Sequence, residues 1–316
     1  MSVFFRGNLK SIFSEFRTLY YSKVILALIL ALFFTTILIL FMNYKDITMS
    51  YQDYNRIVDM YENEEDMTED LENGNYNLKE KNGSYVVENP LLYYNKQISK
   101  SLFVISPKYI LTQMLEAGII FFPIIFGIFG LILGSSDYRN KTIKNKVSRI
   151  GKKKFYFSKF FVSILIIFFL LLFFMIFSKM AGTIVYNEIC NKIPIKDFKI
   201  ENLPISSNIF LKFSFSFLIS ILYSSIGMFI GVITKGTIFG VFSIVAYAYA
   251  VPTFSKFDLK NSYYFIMEQL SDFYGVINIS DIKESSLLIS MTIILGILLF
   301  TNIVTYLLVK NRSAFE

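Results

Sequence analysis

Residues 160–177 read FFVSILIIFFLLLFFMIF, and the residues before them, 135–159, read SSDYRNKTIKNKVSRIGKKKFYFSK. The first stretch is apolar at every position but Ser163. The second carries nine Lys and Arg against one acid, Asp137. A helix needs about 17–25 apolar residues to cross a hydrocarbon core of about 30 Å. Lys and Arg gather beside spans on the cytoplasmic side. The pair therefore reads as a membrane span entered from a basic cytoplasmic loop.

Working outward, five more runs have this character: 23–43, 113–134, 208–233, 237–253 and 287–309. The run 237–253 (TIFGVFSIVAYAYAVPT) is short and reaches Pro252. The first run is too long for the apolar part of a cleavable signal, and Asn43-Tyr44-Lys45-Asp46 follows it where a small-residue cleavage site would stand. Composition agrees, with 54% hydrophobic and 17% charged residues, where a soluble domain has about 25% charged. With the N-terminus inside, segments 1–22, 135–159, 234–236 and 310–316, with Lys23 at the first span's mouth, hold sixteen basic residues and three acidic ones. The rest holds fifteen basic and twenty-one acidic. The expected fold is an all-α polytopic membrane protein with six spans and both termini inside. The net charge of +7 then reflects topology, and nucleic acid is not an expected partner.

The chain has no His, no Trp and one Cys. That excludes a Ser-His-Asp triad, a His-ligated zinc and an internal disulfide. Residues 1–22 space Ile12, Phe13, Phe16 and Leu19 near helical period, as an interfacial amphipathic helix would. Residues 44–112 form the largest exterior segment. Its helical stretch 51–72 is followed by two short runs flanking Asn82-Gly83, a hairpin signal, so a small α+β extracellular domain is expected. An extracellular loop, 182–207, holds Cys190. Residues 254–286 are too polar to span and too apolar for a free loop, and read as a re-entrant segment at the outer interface. Three small-xxx-small pairs, Gly130/Gly134, Gly227/Gly231 and Gly236/Gly240, would let helices approach closely. Glu116 is the one acid near a span core, either a functional group or a residue at the interface.

The chain contains no phosphate-binding G-x-x-x-x-G-K-[S/T] loop. If it moves a cargo, the energy comes from another polypeptide. The segment Gly134-Ser135-Ser136-Asp137-Tyr138-Arg139-Asn140-Lys141-Thr142-Ile143-Lys144-Asn145-Lys146, continuing through Ser148-Arg149-Ile150-Gly151 to Lys159, resembles the cytoplasmic loop of type-2 ATP-binding cassette exporter permeases of low-GC Gram-positive bacteria. That pattern is an acid, an aromatic, Asn-Gly-Thr-Ile-(Arg/Lys)-Asn-Lys, a Ser/Gly-Arg element and a Lys at the next span. Lys141 stands where the pattern has glycine.

The resemblance implies a multi-pass subunit of a bacterial plasma membrane. It would pair with a second copy or a related permease, and with two copies of a cytoplasmic ATPase. ATP and magnesium would bind on that ATPase, leaving this chain non-catalytic and without a cofactor. Asp137, Tyr138, Arg139, Asn140, Thr142, Lys144, Lys146 and Arg149 would form the coupling element. Glu116, Phe122, Phe126, Phe129, Phe242, Tyr247 and Tyr249 are candidates for the path of an amphipathic cargo such as an antimicrobial peptide, a lipid or a drug. The competing reading is a receptor or regulatory scaffold that senses a ligand with its acidic ectodomain.

Overall fold

The computed structural model describes residues 2–72, 76–81, 84–194, 198, 203–205, 208–275 and 282–311. It is 82% helical. In chain order the helices are α1 (Ser2–Tyr21), α2 (Val24–Val58), α3 (Glu64–Glu72), α4 (Pro90–Ile105), α5 (Ile110–Arg139), α6 (Ile143–Ile150), α7 (Lys152–Lys192), α8 (Ile209–Thr234), α9 (Ile238–Val245), α10 (Leu259–Leu270) and α11 (Leu287–Asn311). A π-helical turn, Ala246–Ala250, continues α9. Two strands, β1 (Asn77–Lys81) and β2 (Ser84–Glu88), pair antiparallel with Asn77 opposite Glu88. The Asn82-Gly83 turn between them lies outside the described residues.

Among the described residues five helices are long and apolar enough to cross a membrane: α2, α5, α7, α8 and α11. The expected fifth run, 237–253, is not a sixth such helix. It is helical only over Ile238–Ala250, about 20 Å at a rise of about 1.5 Å per residue. The α-helical hydrogen bonding gives way to a π-turn at Ala246, and the helix ends at Val251, before Pro252, whose predecessor is biased away from helical angles. Two helices also outrun their spans. The stretch 44–58 continues α2, and α7 runs to Lys192 inside the expected 182–207 loop. The expected helix 51–72 is interrupted at 59–63, and only its second part is α3.

Burial sorts the long helices by position. In α5, 67% of the most apolar window is buried, against 17% in α11 and 33% in α2. So α5 is the centre and α2 and α11 are flanks. On α2, Leu28, Leu32, Ile39 and Leu40 face inward while Leu26, Leu30, Phe34 and Phe41 are exposed. A helix apolar on both faces needs an apolar solvent on its outer one.

The tightest packing joins α5 to α8, and it uses the expected glycines. A Cβ on Gly130 would collide with the backbone carbonyl of Ser224, and one on Gly134 with that of Met228. From the other side, Gly227 meets the carbonyl of Gly127 and Gly231 that of Leu131. Backbone therefore rests on backbone along this seam. The third pair does not join it. Gly240 meets the Leu131 side chain, and Gly236 touches only its own turn.

The direction of α10 follows from two contacts with α8. Lys212, at the start of α8, reaches Asp272 just past α10, and Tyr223, eleven residues later, packs its ring on Tyr263 of α10. The two helices thus run antiparallel. Asn261 holds the chain that returns to α11 by donating to the Lys283 carbonyl (3.0 Å) and accepting from its N–H (2.8 Å).

Candidate functional site

At the C-terminal end of α5 the chain turns through residues 140–142. Lys141 sits at φ 55°, Thr142 N–H donates to the Asp137 carbonyl at 3.0 Å, and Lys141 N–H donates to the Tyr138 carbonyl at 3.1 Å. These are the two bonds of a Schellman cap, which favours glycine at the left-handed position. Lys141 is the residue standing where the resembled pattern has glycine. Gly151, at φ 79°, makes the next corner and turns α6 into α7. The result is a short helix held between two sharp corners.

Four residues of this elbow and one of α1 form a buried ion cluster. Asp137 lies 3.0 Å from the Lys146 ammonium and 2.5 Å from that of Lys159. The Thr142 hydroxyl donates to Asp137 Oδ1 at 2.6 Å. Lys146 also donates to Glu15 of α1 at 2.7 Å. Lys159 donates to the Leu133 carbonyl, tying α7 back onto α5. Burial disfavours the Lys146 charge, but the carboxylates of Glu15 and Asp137 outweigh it and hold its pKa above that of a free lysine. On the other side of α6, Ile143, Val147 and Ile150 pack with Tyr138 against Phe155, Val232 and Val309.

The eight residues expected to contact an ATPase therefore divide in two. Asp137, Tyr138, Thr142 and Lys146 turn inward and build the elbow. A carboxylate or ammonium already paired inside the chain is not displayed at the surface. Arg139, Asn140, Lys144 and Arg149 are exposed, and with Lys141 they give α6 a basic outer face.

A second buried cluster ties the opposite end of α5. Lys212, with no exposed surface, donates to Glu116 at 3.0 Å and lies 3.5 Å from Asp272. The Tyr109 hydroxyl donates to both Glu116 oxygens, at 3.1 and 2.9 Å, and Asp272 N–H donates to Glu116 at 3.2 Å. Beside them, Asn43 of α2 and Gln113 exchange two hydrogen bonds of 3.0 and 2.8 Å. Glu116 is thus the centre of a network joining α5, α8 and the chain after α10. Lys212 and Asp272 carried no signal of their own in the sequence. A lysine at a span mouth ordinarily snorkels to water, and nothing local shows that this one is covered.

The candidates for a cargo path also separate. Phe122, Phe126 and Phe129 are buried in the main core, with Phe122 edge-on to Phe174. In this chain they pack the core. Phe242 and Tyr249 are 74% and 59% exposed. Tyr247 is half-buried against Tyr223 and Tyr263. Among the described residues no group of His, Cys, Asp and Glu is arranged to hold a metal ion.

Compared with protein-family models, curated proteins and solved structures, the chain has no match.

Proposed function

We propose that this chain is the membrane subunit of an ATP-binding cassette exporter, driven by two copies of a separate cytoplasmic ATPase that carry the ATP and magnesium. The observation that supports it is the elbow. An eight-residue helix is tied through Lys146 to Glu15 of α1 and to Asp137 of α5, packs on Phe155 of α7, which Lys159 itself fastens to Asp137, and keeps a basic face outward. A push on such a helix moves three helices together, which is what a lever between a motor and a gate requires. In this reading the chain crosses a bacterial plasma membrane six times with both ends inside. The fifth crossing is made of two halves, α9 with its π-turn and α10. The strand pair and α3–α4 stand outside as a small ectodomain, and two permeases face each other. The cargo is amphipathic or hydrophobic.

Arg139→Glu, Lys141→Glu and Arg149→Glu together reverse the outer face without touching the ion cluster. The triple variant should fold as the parent does, lose co-purification with the ATPase and lose stimulated ATP hydrolysis. Full retention of both by the folded variant would refute the lever.

One observation favours the receptor reading. An open cavity of about 410 Å³ lies between α2 and α4, lined by Asp46, Tyr76, Tyr93, Lys96 and Lys100. Lys96→Ala with Tyr93→Ala should abolish a ligand response while sparing transport if sensing is the main role.

A further inference from the structure

Where the helix Ile238–Ala250 stops and α10 has not begun, the packing leaves a cavity of about 220 Å³. Its wall includes Pro123, Tyr223, Tyr249, Lys260, Tyr263 and Tyr264. That is smaller than the ~300–1,000 Å³ of a typical small-molecule pocket, so it suits a headgroup and not a whole amphiphile.

The charge at this place is unbalanced. Lys146 and Lys159 share Asp137, and Lys212 has Glu116 and Asp272. Lys260 has no carboxylate within ion-pair distance among the described residues. Its ammonium donates to the Val251 carbonyl at 2.8 Å and lies 5.8 Å from the centre of the Tyr264 ring. The nearest acid in sequence, Asp258, spends one oxygen on the N–H groups of Phe254 and Ser255. This partly buried ammonium is met by a ring face and a carbonyl but no counter-charge, and two of its three N–H donors remain to be used.

The neutral polar groups fit the same ligand. Tyr223 and Tyr263 are buried, and their hydroxyls and that of Tyr264 have no hydrogen-bond partner among the described residues. On the opposite wall, Pro123 has no N–H, so the carbonyl of Ile119 loses its helical donor. The cavity thus offers one ammonium and three phenols as donors and one bare carbonyl as acceptor. Near it Tyr249, on the cavity wall, and Phe242 of α9 are exposed apolar surface.

We infer that this cavity binds the phosphate of an anionic phospholipid with a hydroxylated headgroup, its acyl chains lying outside along Phe242 and Tyr249. The phosphate supplies the charge that Lys260 lacks, and the phenols donate to its oxygens. A headgroup hydroxyl donates to the Ile119 carbonyl. The site stands whether or not the chain is an exporter, because it rests on the cavity and its unpaired donors.

The test uses the full-length chain in a neutral detergent with dioctanoyl-phosphatidylglycerol as the probe, followed by native mass spectrometry and calorimetry. Binding should weaken about tenfold or more in Lys260→Gln and in Tyr223→Phe/Tyr263→Phe, and persist in Lys260→Arg. Ala248→Leu leaves every donor in place and fills the cavity, so it should abolish binding even if Lys260→Gln fails to fold. Equal affinity for dioctanoyl-phosphatidylcholine would overturn the inference. So would competition by inorganic phosphate at matching concentration, which would make this a free-anion site. Unchanged binding in Ala248→Leu would overturn it as well.

Discussion

The two ends of α5 are fastened by the same chemistry and differ in where the partners come from. At the C-terminal end, the inner one in the proposed reading, Asp137, Thr142, Lys146 and Lys159 lie within 23 positions of one another, and only Glu15 comes from afar. At the N-terminal end, the outer one in that reading, Tyr109, Glu116, Lys212 and Asp272 are spread over more than half of the chain. The inner cluster therefore fixes a local shape, an elbow, and α7 leaves it in a set direction. The outer cluster fixes a global arrangement, because it cannot form until α5, α8 and the chain after α10 have met. A local elbow and a global hub are built from the same pairing of carboxylate with ammonium.

Lys212→Met should have the largest effect. It leaves Glu116 and Asp272 buried beside each other without their ammonium, and breaking a buried pair from one side costs about 3–5 kcal/mol. Thermal unfolding in detergent should show a large loss. Restoring neutrality with Glu116→Gln in the same chain should recover part of it. No recovery would mean that the outer cluster is not held together by charge.

Asp137→Asn at the inner end should cost less, about 1.5–3 kcal/mol, since the amide still accepts from Thr142, Lys146 still has Glu15, and Lys159, which loses its carboxylate, still donates to the Leu133 carbonyl. The expected signature is local. Hydrogen exchange should rise in α6 and at the start of α7 while the outer cluster keeps its protection. Uniform loosening of the whole chain would show that the two ends are not separable. Alkaline titration sharpens the same contrast. The Lys146 contribution is fully present below the ordinary lysine value of 10.5 and is lost as pH rises through its raised folded value. Protection of α6 should therefore outlast pH 10.5 in the parent and fail at lower pH in Glu15→Gln.

Between the two ends runs the glycine seam, and Gly130→Val tests whether it couples them. The new side chain meets the Ser224 backbone, which cannot rotate away. Overpacking of this kind costs about 1–3 kcal/mol, and exchange should rise at both ends of α5 together.

Much of this was legible beforehand, and the parts that were not share a cause. The five long helices are continuous apolar runs, so composition along the chain is enough to find them. The seam glycines recur every four residues on two spans, which is a helix-face signal. Glu116 stood out because an acid in an apolar run is rare. Lys212, Asp272 and Glu15 did not, because each looks like an ordinary charge, at a helix end or on an amphipathic helix, until another element covers it. The break at 246–258 was visible only as a short run ending at a proline. Its consequence, a short helix followed by α10 packed antiparallel on α8, depends on which helix α10 meets. The elbow motif was readable as a unit, but its division into an inward and an outward face needs the corner angles at Lys141 and Gly151.

The first of those corners carries the smallest effect and the sharpest test of the elbow. Lys141 is a non-glycine residue in the left-handed region, which costs an L-residue about 1 kcal/mol, and a Schellman cap asks for glycine there. Its side chain is exposed, so Lys141→Gly relieves backbone strain without opening a cavity. Against that gain stands the greater freedom of glycine in the unfolded chain, about 0.5–1 kcal/mol. The two nearly cancel, and global stability should change by less than about 1 kcal/mol. The elbow is a different matter, since exchange of the Thr142 amide reports the cap alone. If the cap holds the elbow, that amide should be protected as well in Lys141→Gly as in the parent, and far less in Lys141→Val, whose β-branched side chain resists a positive φ. Equal protection in all three would show that the ion cluster alone holds α6, and that the corner merely follows it.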